Sequence, residues 1–384
     1  MKVRAVSLLL VVALMAAVPG PREATSSVSV PALQPAAATA LAAGRSVTLR
    51  LGTLALRMTA APREMLAPDA GVWVVRDGHT TPAPRAATTT YIGRLTPDPG
   101  LSVRLSIRGG VVEGLVIDRT GSGWVLLPRP DGGADARAFE SLDRDAPGGE
   151  EGLHPPQPMA AAGSPSPAAA PGTLVLRLAL EADHLFWTFN RNTWQQKMEE
   201  LASYLEAVYD PQLDLRVQIT DLSAWTTPDP YTAPNACNPG KLEQVTDYWL
   251  RNRGEVPRDA VHLFTPSLTG NFIGCAWIQR LNDPYAVGVS RIVSSPVNLL
   301  NNVNLLAHEI GHNFGGIHER SVGAYAATGN SSRSGTPPYS IMNPIAEGGV
   351  LQFSELRGVR SPTTGWELNN RDPMRTYAES RLGR

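Results

Sequence analysis

Between residues 308 and 318 the chain reads His308-Glu309-Ile310-Gly311-His312-Asn313-Phe314-Gly315-Gly316-Ile317-His318. Only a helix that ends abruptly can make full use of that spacing. Upstream, from Asn298, the residues Leu299, Leu300, Val303, Leu306 and Ile310 recur at three- and four-residue intervals, which predicts a helix with one buried stripe. His308 and His312 are four apart, so they share one face of that helix and can grip a single metal ion. Glu309 stands beside the pair, within reach of a water held there. Gly315 lets the chain leave the helix sharply, because glycine tolerates positive φ. The turn then returns His318 as a third imidazole. Three neutral nitrogens with a fourth position left to water are the donor set of a catalytic zinc rather than a closed structural one. The competing reading is a core helix whose histidines are incidental.

Downstream, Tyr339-Ser340-Ile341-Met342-Asn343-Pro344 follows a stretch rich in Gly, Ser and Pro, and Met342 lies 24 residues past His318. Taken by itself, Met342 could be one more adaptable core side chain.

At 384 residues the chain is long enough for two ordinary domains. A net charge of −1 offers no basic face of the kind a nucleic-acid partner needs. Met1-Lys2-Val3-Arg4 is basic, and Ala5 to Val18 is apolar except for Ser7, with helix breakers at Pro19, Gly20 and Pro21. That order predicts a secretory signal peptide over residues 1–24, cut between Ala17 and Ala24. An uncleaved anchor is the alternative reading. No other run is long enough to span a bilayer, so the mature product is expected to be free of the membrane, in the extracellular space or a periplasm. The two cysteines, Cys237 and Cys275, could pair after export or remain buried thiols.

The rhythm of the chain changes once. Residues 45–140 read as short strands joined by Gly turns: Ser46 to Leu51 alternates, Gly71-Val72-Trp73-Val74-Val75 is a short apolar run, Leu101 to Ile107 alternates, and Val111 to Ile117 and Trp124 to Leu127 continue the series. This predicts an antiparallel sheet or barrel. Residues 141–172 are rich in Pro, Ala and Ser, including Pro155-Pro156 and Ser164-Pro165-Ser166-Pro167, and read as an extended linker open to proteolysis. From Thr173 to the end at residue 384 the order becomes strand (174–180), helix (194–208), strand (213–219), helix (241–250), strand (260–264), strand (272–277) and the histidine helix. That is an α/β arrangement with the histidine helix behind a mixed sheet.

At this level of detail the chain resembles the adamalysin (reprolysin) branch of the metzincin zinc endopeptidases. The resemblance rests on His-Glu-Ile-Gly-His-Asn-Phe-Gly at 308–315, on Leu180-Glu181-Ala182-Asp183-His184, Trp225 with Asp229-Pro230-Tyr231, His262-Leu263-Phe264-Thr265, Gly274-Cys275-Ala276-Trp277 and Gln352-Phe353-Ser354. It spans most of residues 173–365. It implies a mixed twisted sheet, a long zinc-binding helix and a methionine turn at Met342. The zinc ligands would be His308, His312 and His318, with Glu309 as general base for a water attacking a peptide carbonyl. Gly274, Cys275 and Ala276 would line the substrate cleft as an edge strand, an ordinary core strand being the alternative, with the specificity pocket between Val322 and Ile345. The β-rich region also resembles the reprolysin propeptide, carried by Thr90 to Leu95 and Leu101 to Leu115, which implies a zymogen; a separate β-sandwich binding module is the alternative. Proteins or peptides would be the partners, and the chain is expected to act as a monomer.

Three departures qualify the resemblance. Glu319 follows the third histidine where the branch commonly has Asp. No cysteine precedes Cys237, so no prodomain thiol can cap the metal. Arg177 stands where some members have a calcium-binding glutamate, which speaks against a calcium site, although Asp259 matches another calcium-binding position. No cysteine-rich or disintegrin-like stretch follows the catalytic part, so the family's adhesion roles do not carry over.

Overall fold

The structure, a computed structural model, describes residues 31–139, 173–237, 239–269, 273–318, 340–342, 351–353 and 370–382. The expected signal peptide and linker lie outside the described residues, as do Glu319, Asn343, Pro344 and nearly all of the stretch expected to hold the specificity pocket.

The N-terminal part begins with α1 (Ala37–Ala42) and continues as β1 (Val47–Leu51), β2 (Leu54–Pro62), β3 (Leu66–Arg76), β4 (His79–Pro82), β5 (Thr90–Thr96), β6 (Ser102–Arg108), β7 (Val111–Ile117), β8 (Gly123–Pro128) and β9 (Ala134–Ala138). Seven of these nine strands form an antiparallel sheet in the order β1-β2-β5-β6-β7-β8-β9. Alternation along them buries one face against α1, where Leu41 meets Leu49, Met58 and Leu105. The other face contributes Leu115, Ile117, Val125 and Leu127 to the core of the second half. Burial on both sides explains why β7 carries buried residues at consecutive positions rather than a strict alternation.

The second half supplies β10 (Leu174–Ala182), α2 (His184–Phe189), α3 (Trp194–Leu213), β11 (Leu215–Trp225), α4 (Lys241–Asn252), β12 (Ala260–Thr265), β13 (Gly274–Ala276), β14 (Val287–Arg291), α5 (Leu299–Asn313) and α6 (Arg371–Arg381). The expected α/β order is present. Three elements were not expected: β14, whose Val-Gly-Val-Ser-Arg is short and glycine-interrupted, and the helices α2 and α6. The helix expected to stop at Val208 runs on to Leu213 across Pro211.

One stretch departs from the expected antiparallel series. β3 and β4 leave the first sheet and join the second, whose order is β13-β14-β12-β10-β11-β3-β4. β3 lies parallel to β11, with Gly71 to Val75 opposite Asp221 to Trp225. Only β13 and β4, at the two edges, run antiparallel to their neighbours. The sheet is covered on one face by α3 and α5, and on the other by α4, where Val261, Leu263, Val287 and Val289 pack on Leu242, Val245 and Trp249. Among the described residues no helix is long and apolar enough to cross a membrane.

Candidate metal centre

The histidine helix α5 ends as its sequence requires. Gly315 has φ +87°, its N–H donates to the His312 carbonyl at 2.8 Å, and the Gly316 N–H donates to the Gly311 carbonyl at 2.8 Å. These two bonds form a Schellman closure, which needs a left-handed residue at the position Gly315 occupies. The segment after β13 adds two more bonds at the helix end: the Gln279 N–H donates a second bond to the His312 carbonyl at 2.8 Å, and the Arg280 N–H donates to the Asn313 carbonyl at 3.0 Å. The Asn313 amide donates to the Trp277 carbonyl at 2.7 Å, pinning the helix end to the sheet.

The turn brings three imidazoles together. The Nε2 atoms of His308, His312 and His318 stand 3.1 to 3.2 Å apart, and all three residues are buried. His308 Nδ1 lies 2.5 Å from the Ile341 carbonyl, and His312 Nδ1 lies 2.8 Å from the Gly316 carbonyl. A carbonyl cannot donate, so both Nδ1 atoms carry the proton and both Nε2 atoms present lone pairs. In the neutral rings those lone pairs face each other at 3.1 Å. A proton on His318 Nε2 could serve only one of the two. A cation at the common focus relieves the repulsion, and nitrogens at zinc-binding distance in a tetrahedral set would stand roughly 3.4 Å apart. The donor chemistry therefore fits a metal, and these three residues are a group that could hold one.

Several side chains that hold this arrangement were not legible in the sequence. Asn370, at the start of α6, clamps the residue before His318: its Oδ1 accepts from the Ile317 N–H at 3.0 Å and its Nδ2 donates to the Ile317 carbonyl at 3.1 Å. The Tyr209 hydroxyl of α3 donates to the Ala307 carbonyl at 2.8 Å, and its ring packs edge-on against Phe314 and Phe353. Met342 is fully buried. A Cβ on Gly311 would come within 2.8 Å of its Sδ, and one on Gly316 within 3.1 Å of its Cε. The two glycines thus make room for the Met342 side chain. Gly311 occupies a variable position of the motif, so no spacing rule pointed to it.

Glu309 is fully buried and lies over β13. A Cβ on Gly274 would fall 1.8 Å from Glu309 Oε1, so the carboxylate rests where that residue has no side chain. Gly274, Cys275 and Ala276 form β13, which pairs with β14 alone among the described strands. Cys275 is joined to Cys237 by a disulfide with the Cα atoms 6.0 Å apart, tying this edge strand to the segment before α4. Ser290 lies opposite Gly274 in the β13–β14 ladder. Its hydroxyl meets His262 Nε2 at 2.8 Å, and burial lowers the His262 ring to about 3, so it stays neutral.

Other quoted motifs lie away from the histidines. Glu181 is buried and accepts from the Tyr231 hydroxyl at 2.7 Å and from the Trp225 and Trp249 indoles. Burial pushes its carboxyl above the ordinary range, and the three donors oppose that shift. This cluster ties α4 to the sheet. Asp259 is covered by Arg177: Nη2 approaches Oδ1 at 2.6 Å, and the Arg177 backbone N–H donates to Oδ2 at 2.8 Å. A guanidinium thus occupies both oxygens of the carboxylate that matched a calcium position.

A family model described as metallo-peptidase family M12, reprolysin type, matches residues 173–354. The chain is similar to mouse disintegrin and metalloproteinase domain-containing protein 19, with 27% identity over 247 residues, covering 60% of this chain and 26% of the mouse protein. It thus spans about a quarter of that relative. Among solved structures it is similar to metalloproteinase-II from Bacteroides fragilis (14% identity, TM-score 0.38, 78% of this chain and 86% of that one). It is also similar to archaemetzincin from Methanopyrus kandleri (19% identity, TM-score 0.27, 39% of this chain and 79% of that one). Residues 173–354 of this chain thus match the reprolysin-type model of metallo-peptidase family M12 and are similar to the metalloproteinase-containing mouse protein.

Proposed function

We propose that this chain is an exported zinc-dependent endopeptidase, made as a precursor whose Pro/Ala-rich stretch at 141–172 is the site of processing. The observation that carries the reading is the convergence of three imidazole Nε2 atoms at 3.1 to 3.2 Å, two of them fixed as acceptors, next to the buried Glu309 carboxylate. His308, His312 and His318 would hold the ion, with Met342 as the methionine turn beneath them. A zinc ion bound there supplies Lewis-acid polarisation of a water and of the scissile carbonyl. Glu309 accepts the proton of the attacking water and passes it to the leaving amine as the C–N bond breaks. The seat over Gly274 fixes the direction from which that carboxylate works. β13 offers an extended substrate a strand to pair with, so main-chain hydrogen bonds would hold it and side-chain pockets would select it. Arg177 gives Asp259 a built-in cation, which supports a protease that does not need calcium.

A catalytically inactive zinc-containing binding protein with the same fold is the second reading. An intact Glu309 and ligand set favour the enzyme. The test compares the purified full chain, cut and uncut in 141–172, with its Glu309→Gln form on casein and a peptide library, with and without a zinc chelator. Cleavage that disappears with both the substitution and chelation is the expected result. A folded chain that binds zinc one to one and cuts nothing would leave the binding protein as the better account.

A further inference from the structure

Gly71-Val72-Trp73-Val74-Val75 is apolar at nearly every position, the pattern of a strand covered on both faces rather than of an outer strand with one wet side. The fold gives it that environment inside the other half of the molecule. β3 runs parallel to β11, and the Ile219 and Thr226 N–H groups donate to the Met65 and Val75 carbonyls at 2.8 Å each. Without β3, β11 would be an exposed edge of a long buried sheet, a template for mispairing.

Both faces of the sheet carry further ties. On the α3 face, Glu206 is fully buried, and its oxygens take Arg63 Nη2 at 2.6 Å, Arg63 Nε at 3.1 Å and Arg104 Nη2 at 3.5 Å. One turn and a half earlier on α3, Glu200 pairs with Arg108 at 3.0 Å and Lys197 pairs with Glu113 at 3.1 Å. On the α4 face, the Trp73 indole donates to Asp221 at 2.8 Å, and Arg253 reaches the same oxygen at 2.6 Å. Gly71 permits this, since a Cβ there would fall 2.2 Å from the indole nitrogen. Met65, Leu66, Val72, Leu115 and Ile117 belong to one continuous core with Leu205 of α3. Losing the N-terminal part would strand Glu206 as a buried carboxylate with no counter-charge among these arginines. It would also open the core and the β11 edge together.

We infer that residues 31–139 are a permanent structural subunit of the folded protein. A cut in 140–172 severs one covalent connection and leaves every contact above in place, so the two pieces stay together as a two-chain protein, and the C-terminal piece does not hold its fold alone. Their position permits this in an active enzyme: β3 is five strand spacings from β13, about 24 Å across the sheet, so β3 and β4 complete the edge remote from Gly274 and Glu309. The inference does not depend on the peptidase reading, because its readouts are association and folding.

The experiment replaces residues inside 140–172 of the full chain with the recognition sequence of a specific protease, cuts it, and passes the product through gel filtration in native buffer and in stepped urea. The expected result is co-elution of both pieces in native buffer, a thermal midpoint within a few degrees of the uncut chain, and separation only at the urea concentration where tertiary structure is lost. Separation in native buffer, with a C-terminal piece that still melts cooperatively near the uncut midpoint, would overturn the inference. Hydrogen exchange on the unaltered chain is a second measurement, in case the replacement disturbs folding. The Ile219 and Thr226 amides should exchange as slowly as the Val261 amide, which donates to Ala286 within the sheet at 2.7 Å. Exchange a hundredfold faster at both positions would equally overturn it.

Discussion

The two edges of the seven-stranded sheet are treated in opposite ways. At one edge, β13 is three residues long, has a single strand neighbour among the described residues, and lies against Glu309. At the other, β11 is sealed by an eleven-residue strand drawn from the far end of the sequence, then by β4. A sheet edge carries unpaired backbone groups that must be satisfied, covered or used. Here one edge is held by a disulfide beside the three histidines, while at the other β11 is covered by β3, with ion pairs and apolar side chains around it, and only the four-residue β4 is left exposed. On the proposed function, the difference separates activity from stability across one sheet, so substitutions at the two edges should have effects that do not resemble each other.

The largest effect is expected from Gly274→Ala. The added methyl meets the end of a flexible side chain, so the fold can absorb it by moving Glu309. Peptide hydrolysis should fall a thousandfold or more through kcat, with the bound metal and thermal midpoint retained; a variant that keeps wild-type kcat would sever the link between that edge and the carboxylate. Next comes Arg63→Glu, which sets a like charge against buried Glu206. It should cost roughly 3 to 5 kcal/mol in urea unfolding and leave kcat unchanged at temperatures where the variant is folded. A loss of kcat without a loss of stability would contradict the division of labour.

The smallest and most diagnostic effect is that of Glu199→Gln, on the α3 face turned to the N-terminal part. Burial, helped by the Glu64 charge, raises the Glu199 carboxyl from 4.5 to about 8, and among the described residues neither oxygen has a hydrogen-bond partner. A raised folded value means that the protonated form fits the fold. Its contribution is complete below the unfolded value of 4.5 and is lost as the pH rises towards about 8. The glutamine variant should therefore match the parent near pH 4 and exceed it by on the order of 3 kcal/mol at pH 7. Equal urea midpoints at both pH values would show that Glu199 is solvated and that water enters this interface.

What the sequence disclosed follows from how local the signals are. The three histidines, Glu309 and Gly315 sit within eleven residues, and helical periodicity plus one left-handed turn is enough to bring the imidazoles together. Asn370, Tyr209 and Gly311 escaped notice because their roles exist only across the fold: Asn370 grips a backbone 53 residues away, and Tyr209 one 98 residues away. The pairing of β3 with β11 was hidden for the same reason, since nothing near residue 72 indicates a partner near residue 222. Its one trace was the unbroken apolar run at Val72 to Val75, which belongs to a covered strand and sits oddly among the alternating ones.

The bond between Cys237 and Cys275 ties the strand beside Glu309 to the segment leading into α4. Such a tie forms only where thiols are oxidised. Inside a reducing cell the newly made chain would carry its three histidines on a finished helix, yet the strand that seats the carboxylate would lack its anchor. The rigidity of the strand beside the carboxylate thus depends on the redox state of the surroundings, a dependence that no part of the histidine cluster shares.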